Sequence, residues 1–120
     1  MSATERRKGA NYEREVVRRL QDVLGVEAAR TAPLQAGRCD AAPDVAVRGL
    51  WIECKRRKRI AACSWLDKTD EEAPFPEIPI VVMREDAGES VVMVNLKDLA
   101  MLVALLRDTP AVVRIMQAST

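Results

Sequence analysis

Three side chains in the first half of this sequence, Asp44, Glu53 and Lys55, have types and a spacing that suit metal-assisted chemistry. They lie on two short β-strand patterns joined by Arg48-Gly49, which predicts a two-residue hairpin turn. In that register Asp44 lies directly opposite Glu53, and Lys55 lies on the same face of the sheet. Because opposed carboxylates repel each other unless a cation lies between them, the pattern predicts a divalent metal ion held by oxygen ligands.

Glu13 adds a third carboxylate, on the apolar side of a predicted first helix. An unpaired carboxylate is costly to bury, so we expect Glu13 to reach toward a cation. Each acid also has a purely structural interpretation. Asp44 is then a turn residue, Glu53 and Lys55 form a surface cross-strand pair, and Glu13 is a first-turn acid that complements the helix dipole. A single shared site explains these residues together, whereas the structural interpretations must treat each one separately.

The absence of histidine narrows the chemistry further. It excludes Ser-His-Asp and Cys-His catalysis and every metal site that depends on imidazole ligands. The chain has 3 cysteines and no C-x-x-C pair, which favours neither a disulfide framework nor a zinc site and suits a reducing cytosol. Catalysis must therefore use carboxylates, lysine, arginine, serine or cysteine, or a hard metal ion bound by oxygen.

Charge is unevenly distributed along the chain although the formal net charge is only +1. Residues 1–59 carry 14 Lys and Arg against 8 Asp and Glu, while residues 60–120 carry 5 against 10. The basic half peaks at the run Lys55–Arg59, which is either a phosphate-contacting patch or a solvated basic turn. Aromatic residues make up only 3% of the chain, too few for a sheet on which single-stranded bases stack.

Hydrophobic periodicity and turn residues predict a single α/β domain over residues 1–120, with a flexible basic arm at residues 1–8. The predicted order is α-β-β-β-α-β-β-α, with a central mixed sheet of about five strands flanked by helices. The first helix is predicted to run from an Asn11 cap to Gly25. The other predicted elements are strands at 26–31, 44–48, 50–55, 80–83 and 91–94, a helix at 59–71, and a last helix of about 12 residues after Asn95. Residues 112–115 have an ambiguous pattern that could add an edge strand.

Two segments resemble a known family of nucleases. Pro43-Asp44 followed by Glu53-Cys54-Lys55 resembles the PD-(D/E)xK motif of restriction-endonuclease-like enzymes. The segment Lys8–Leu20 resembles the first helix of archaeal Holliday junction resolvases and of related phage-encoded nucleases. The resemblance covers residues 8–59. The sequence departs from the archaeal enzymes in a longer segment between Arg30 and Pro43, and in a short helix after the basic run that ends in acids.

This resemblance implies a magnesium-dependent phosphodiesterase with a restriction-endonuclease-like fold, in which Mn²⁺ is expected to substitute for Mg²⁺. Asp44, Glu53 and the backbone carbonyl of Cys54 would hold the metal. Lys55 would orient the attacking water or stabilise developing charge, and Glu13 would complete the inner or outer coordination shell. The residues expected to contact DNA are Lys8, Arg14, Arg30, Arg56, Arg57, Lys58 and Arg59.

The expected function is a structure-selective endodeoxyribonuclease of recombination and repair, most specifically a Holliday junction resolvase. The alternatives are a nuclease for flap or plain duplex DNA, and a non-catalytic DNA-binding module on the same scaffold. The last helix is apolar on nearly all sides, which favours a homodimer contact over simple enclosure. Without an apolar leader or a stretch of about 18 apolar residues, we expect no membrane partner and a cytoplasmic location in a bacterial, archaeal or phage-infected cell.

Overall fold

A mixed β-sheet forms the centre of the molecule in the computed structural model, which describes residues 2–31, 42–57 and 61–119. Within these residues the strands follow one another across the sheet in chain order, and only β3 and β4 are parallel. This arrangement confirms the predicted α/β domain with five strands. The strands are β1 (Ala29–Arg30), β2 (Val45–Val47), β3 (Leu50–Arg57), β4 (Ile78–Glu85) and β5 (Val91–Val94). The helices are α1 (Ala3–Leu24), α2 (Ala62–Glu72), a 3₁₀ turn (Leu96–Asp98), α3 (Leu99–Leu106) and α4 (Pro110–Ala118).

The β2–β3 hairpin has a two-residue turn at the predicted position. Val47 pairs with Leu50 and Val45 pairs with Ile52 across that turn. Gly49 in the turn has a φ of 86°, a left-handed conformation that side chains with a Cβ rarely adopt. The hairpin therefore brings the start of β2 beside the middle of β3, where the predicted acids lie.

Apolar layers cover both faces of the sheet and fix β3 in place. On one face Tyr12 and Val16 of α1 pack with Val45 and Ile52. On the other face Leu66 of α2 packs against a second cluster from β4 and β5. Because β3 pairs along its full length with β4, its second half is held in the sheet even beyond the end of β2.

The first helix starts well before the predicted position. α1 begins at Ala3, and Ser2 caps it through a capping box in which Ser2 and Glu5 exchange side-chain and backbone hydrogen bonds. Residues 3–8, predicted as a flexible arm, thus form the first turns of α1. Asn11, the predicted cap, lies inside the helix, whereas Gly25 ends it with a φ of 72° as predicted.

The bounds of several other elements also differ from the sequence patterns. β1 has only two residues, and α2 begins at Ala62 rather than at residue 59. Residues 112–115, the possible edge strand, belong to α4, because Pro110 at its first turn starts a helix and the apolar side chains follow at helical spacing. The helix predicted after Asn95 is divided into the 3₁₀ turn and α3. None of the helices in the described ranges is long and apolar enough to cross a membrane.

Candidate active site

Asp44 is fixed by three hydrogen bonds that join it to neighbouring strands. Its backbone N–H donates to the Ile52 carbonyl at 3.0 Å, and its carbonyl accepts from the Thr31 N–H at 3.1 Å. Its carboxylate oxygen Oδ2 accepts from the Cys54 N–H at 3.0 Å. The side chain is therefore held at the edge of β3, beyond the last paired residue of β2.

The sequence predicted that Asp44 lies directly opposite Glu53 in the β2–β3 ladder, but the structure shows a different arrangement. The ladder ends at the Val45–Ile52 pair, and the Asp44 N–H bonds to the same Ile52 residue. Two residues of one strand thus oppose one residue of the other, as in a β-bulge, and the Asp44 side chain turns toward the Cys54 N–H. The physical reason for the difference is this extra residue, which period-two reasoning cannot detect.

Glu53 nevertheless lies within hydrogen-bonding reach of Asp44, and this contact is one cause of the raised pKa of Glu53. Burial raises this pKa from 4.5 to about 8, and the charge of Asp44 together with a hydrogen bond between the two carboxyl groups acts in the same direction. The charge of Lys55 lowers that pKa, and the charge of Glu72 on α2 raises it. The two carboxyl groups are thus close enough to interact directly.

Lys55 follows Glu53 by two residues on β3, and the paired residues Val81 and Met83 place both on the α2 face of the sheet. The structure shows no hydrogen bond or ion pair from Lys55 to another described residue. Its charge acts on Glu53 and on the Cys54 thiol, whose pKa is raised by burial and by the nearby acids. Lys55 is therefore an available cation beside the acid pair.

Glu13 reaches a cation, as predicted, and that cation is Arg30. The Arg30 Nε donates to the Glu13 Oε1 at 2.6 Å, and both side chains are partly buried. Burial raises the pKa of Glu13 and the hydrogen bond from Arg30 lowers it, while the nearby charge of Asp44 raises it further. Glu13 thus lies near Asp44, with one oxygen already engaged by protein.

The site opens into a groove of about 760 Å³ between the first half of α1 and the second half of β3. Asp44 and Lys55 line this groove, whereas Glu53 is not among its lining residues. A second cavity of about 520 Å³ lies near Leu24 and Leu106 and contains none of the predicted site residues. The groove is lined by Glu5, Arg6, Lys8, Gly9, Ala10, Glu13, Arg30, Asp44, Cys54, Lys55, Arg56 and Arg57.

Most residues that the sequence predicted to contact DNA line this groove: Lys8, Arg30, Arg56 and Arg57. Arg14 does not line it, and its guanidinium instead donates to the Asn11 side chain on the exposed surface of α1. Lys58 and Arg59 lie outside the described residues.

The donor set that could hold a metal ion is small. Among residues 2–31, 42–57 and 61–119, no group of three or more acidic or cysteine side chains is close enough to bind one ion. What the site offers is the Asp44–Glu53 pair and the main chain of Cys54. Because the N–H and C=O of a strand residue point the same way, the Cys54 carbonyl faces the same unpaired edge as its N–H. Two carboxylates and one carbonyl are oxygen donors that suit Mg²⁺ and Mn²⁺.

The mixed α/β fold and the order of Asp44, Glu53 and Lys55 along the chain are those of the PD-(D/E)xK class of nucleases. A family described as "Phage putative PDDEXK endonuclease" matches residues 4–119, and the chain belongs to this family. The predicted PD-(D/E)xK resemblance is thereby confirmed. No curated protein and no solved structure matches the chain.

Two residues of the site escaped the sequence reasoning. Thr31 holds the segment before β2, because its hydroxyl donates to the Pro43 carbonyl and its backbone N–H donates to the Asp44 carbonyl. Arg6 lines the groove because α1 starts early. The Ser2-x-x-Glu5 capping box was the available signal for Arg6, whereas Thr31 had no local signal.

Proposed function

We propose that the chain is a divalent-metal-dependent endodeoxyribonuclease that hydrolyses phosphodiester bonds in branched DNA, most specifically in four-way Holliday junctions. The observation that carries the proposal is the neighbouring pair of carboxyl groups on Asp44 and Glu53 beside Lys55, with Asp44 and Lys55 lining a basic groove. Two carboxyl groups held this close are unfavourable in a purely structural role. They are favourable when a cation with two positive charges lies between them.

Mg²⁺ is the metal that the donors fit best, with Mn²⁺ as the expected substitute. Asp44 and Glu53 would hold the ion with the Cys54 carbonyl, and water would complete the coordination, because Mg²⁺ binds through one or two carboxylates and keeps several waters. The bound ion supplies activation of water and stabilisation of phosphoryl charge. The hydrogen bond from the Cys54 N–H keeps the Asp44 carboxylate oriented at the groove.

Lys55 and Glu13 would act around this pair in different ways. The Lys55 amine would stabilise the negative charge that grows on the phosphate, or orient the attacking water. Glu13 would hold Arg30 at the groove wall and complete the outer coordination shell, since one of its oxygens is taken by Arg30.

DNA would bind through its backbone. The groove wall carries the cations Arg6, Lys8, Arg30, Arg56 and Arg57, which suit phosphates rather than base edges. Lys58 and Arg59 extend the same basic run along the chain, and Arg14 would contribute from the neighbouring surface of α1. Such binding depends steeply on salt and weakly on sequence.

A homodimer would supply two active sites for the two strands cut in a four-way junction. Exposed apolar side chains on β5, the 3₁₀ turn and α4 support it, among them Val92 (59% exposed), Leu96 (83%) and Ile115 (64%). Apolar patches on a protein surface mark interaction sites. Sedimentation at micromolar concentration tests the homodimer, and a monomer under these conditions would contradict it.

The deciding assay gives purified protein a synthetic four-way junction, a flap and a linear duplex, with Mg²⁺ and with EDTA. We expect cleavage in Mg²⁺ alone and fastest on the junction. Asp44→Asn and Glu53→Gln should lose cleavage and keep DNA binding, while Glu71→Gln on the exposed side of α2 should behave as wild type. Faster cleavage of the flap or the duplex would show that this DNA, and not the four-way junction, is the preferred substrate. DNA binding without cleavage under any condition would favour a non-catalytic module.

A further inference from the structure

The β4–β5 turn places an acid against two cations of the groove. The Asp86 Oδ1 lies 2.6 Å from the Lys8 Nζ and 3.6 Å from the Arg56 Nε. Lys8 and Arg56 both line the groove that contains Asp44 and Lys55, whereas Asp86 approaches them from outside it. One carboxylate oxygen thus bridges the cations contributed by α1 and β3.

The sheet topology explains why Asp86 lies beside Lys8 and Arg56. β3 and β4 run parallel, with Arg56 beside Arg84 and Arg57 beside Glu85. Asp86 is the first residue beyond β4, so it lies at the same end of the sheet as the basic end of β3. The early start of α1 brings Lys8 to the same point.

The contacts of Asp86 with the groove cations are weak ones. The side chains of Lys8, Arg56 and Asp86 are each about one-third exposed, and ion pairs at such positions contribute roughly 0–1 kcal/mol. The Arg56 Nε is buried and has no hydrogen-bond partner among the described residues, since 3.6 Å is too long for one. The Arg56 side chain is nevertheless 30% exposed and lines the groove, so its guanidinium can donate to a better-placed acceptor there.

A DNA phosphate is such an acceptor. It carries negative charge on oxygens that accept from lysine and arginine together, and these charge-assisted bonds are stronger than neutral ones. We infer that Lys8 and Arg56 form a subsite for a backbone phosphate of the substrate, and that Asp86 occupies this subsite until DNA displaces it. This inference rests on the proposed function, because it names the contact that one phosphate of that DNA makes.

Removing the Asp86 carboxylate should therefore strengthen DNA binding. Asp86→Asn keeps a turn-forming side chain and removes only the competing charge. Glu85→Gln is the matched control, because it removes one negative charge from the preceding residue, which has no ion pair with either cation. We expect Asp86→Asn to bind DNA about 3–10-fold more tightly than wild type, and Glu85→Gln to change affinity by less than about twofold.

The experiment measures dissociation constants of the full chain for a labelled duplex and a labelled four-way junction in EDTA, from about 50 to 200 mM salt. Lys8→Met is measured in the wild-type chain and in the Asp86→Asn variant. We expect it to cost more affinity in the variant, because no carboxylate competes there for the lysine amine. Thermal unfolding checks each fold, and Asp86→Ser replaces Asp86→Asn if the latter is unstable.

The outcomes separate this inference from the proposed function. Equal affinities for Asp86→Asn and Glu85→Gln, or weaker binding by Asp86→Asn, would overturn the subsite and leave the nuclease standing. A wild-type chain that binds neither DNA would contradict the proposed function itself.

Discussion

The Asp44 carboxylate accepts a hydrogen bond from the backbone N–H of Cys54 at 3.0 Å, which ties a residue before β2 to the centre of β3. Cys54 lies between Glu53 and Lys55 in the chain, so this bond sets the position of Asp44 relative to both. β3 is itself held by β4 along its length. The acid pair and the lysine therefore rest on a well-supported part of the sheet, as catalytic geometry requires.

The raised pKa of Glu53 predicts how stability depends on pH without metal. The folded chain keeps the Glu53 proton up to about pH 8, whereas the unfolded chain releases it near 4.5. The stabilising contribution is complete below about pH 4.5 and is lost as the pH rises through about 8. Solvent screening of this partly buried group limits the effect to about 1–2 kcal/mol, or roughly 4–8 °C in the unfolding midpoint.

Thermal unfolding in EDTA from about pH 5 to about pH 9 measures this dependence. Glu53→Gln should flatten the curve, and Glu71→Gln should keep the wild-type slope. A Glu53→Gln curve as steep as that of wild type would show that Glu53 does not hold the proton.

Replacing Lys55 tests its chemical role separately from DNA binding. Lys55→Met should reduce the cleavage rate by about 10²–10³-fold, because a preorganised charge beside the phosphate is lost. The dissociation constant for DNA should change by less than about threefold, since other groove cations remain. Lys68→Met, the same change on the exposed surface of α2, is the control. Cleavage by Lys55→Met at the wild-type rate would show that Lys55 has no role in catalysis.

Glu13 should matter less than Asp44, because Arg30 occupies one of its oxygens. Glu13→Gln should lower the cleavage rate by about 10–100-fold, as outer-shell substitutions do, while Asp44→Asn should abolish detectable cleavage. Single-turnover rates at saturating protein compare the two variants directly. Equal losses would mean that Glu13 binds the metal itself.

Gly9 is expected to lower the stability of α1 and to leave room in the groove for the DNA backbone. It lies inside α1 and lines the groove, and a Cβ built there meets no described atom within 4 Å. Gly9→Ala should therefore stabilise the helix by about 0.5–1 kcal/mol, yet slow cleavage by narrowing the approach of the DNA backbone. Asp22→Ala, at an exposed position of the same helix outside the groove, is the control. A stabilised Gly9→Ala with unchanged cleavage would show that nothing needs that space.

Sequence reasoning predicted the elements whose patterns are local and missed the features that depend on contacts across the fold. The hairpin and β5 followed from Gly49 and from a short apolar run, and their bounds are close to those predicted. The bulge at Asp44 depends on tertiary hydrogen bonds from Thr31 and Cys54, which no spacing rule encodes. The contact of Lys8 with Asp86 needed the true start of α1 and the parallel pairing of β3 with β4.

The central claim is that Asp44 and Glu53 bind one divalent cation together, and a Mn²⁺ titration followed by electron paramagnetic resonance tests it most directly. Wild type and Glu71→Gln should each bind a single Mn²⁺ that Mg²⁺ displaces, and Asp44→Asn and Glu53→Gln should each lose that binding. If both acid variants bind Mn²⁺ as tightly as wild type, the metal lies elsewhere and the proposed active site is wrong.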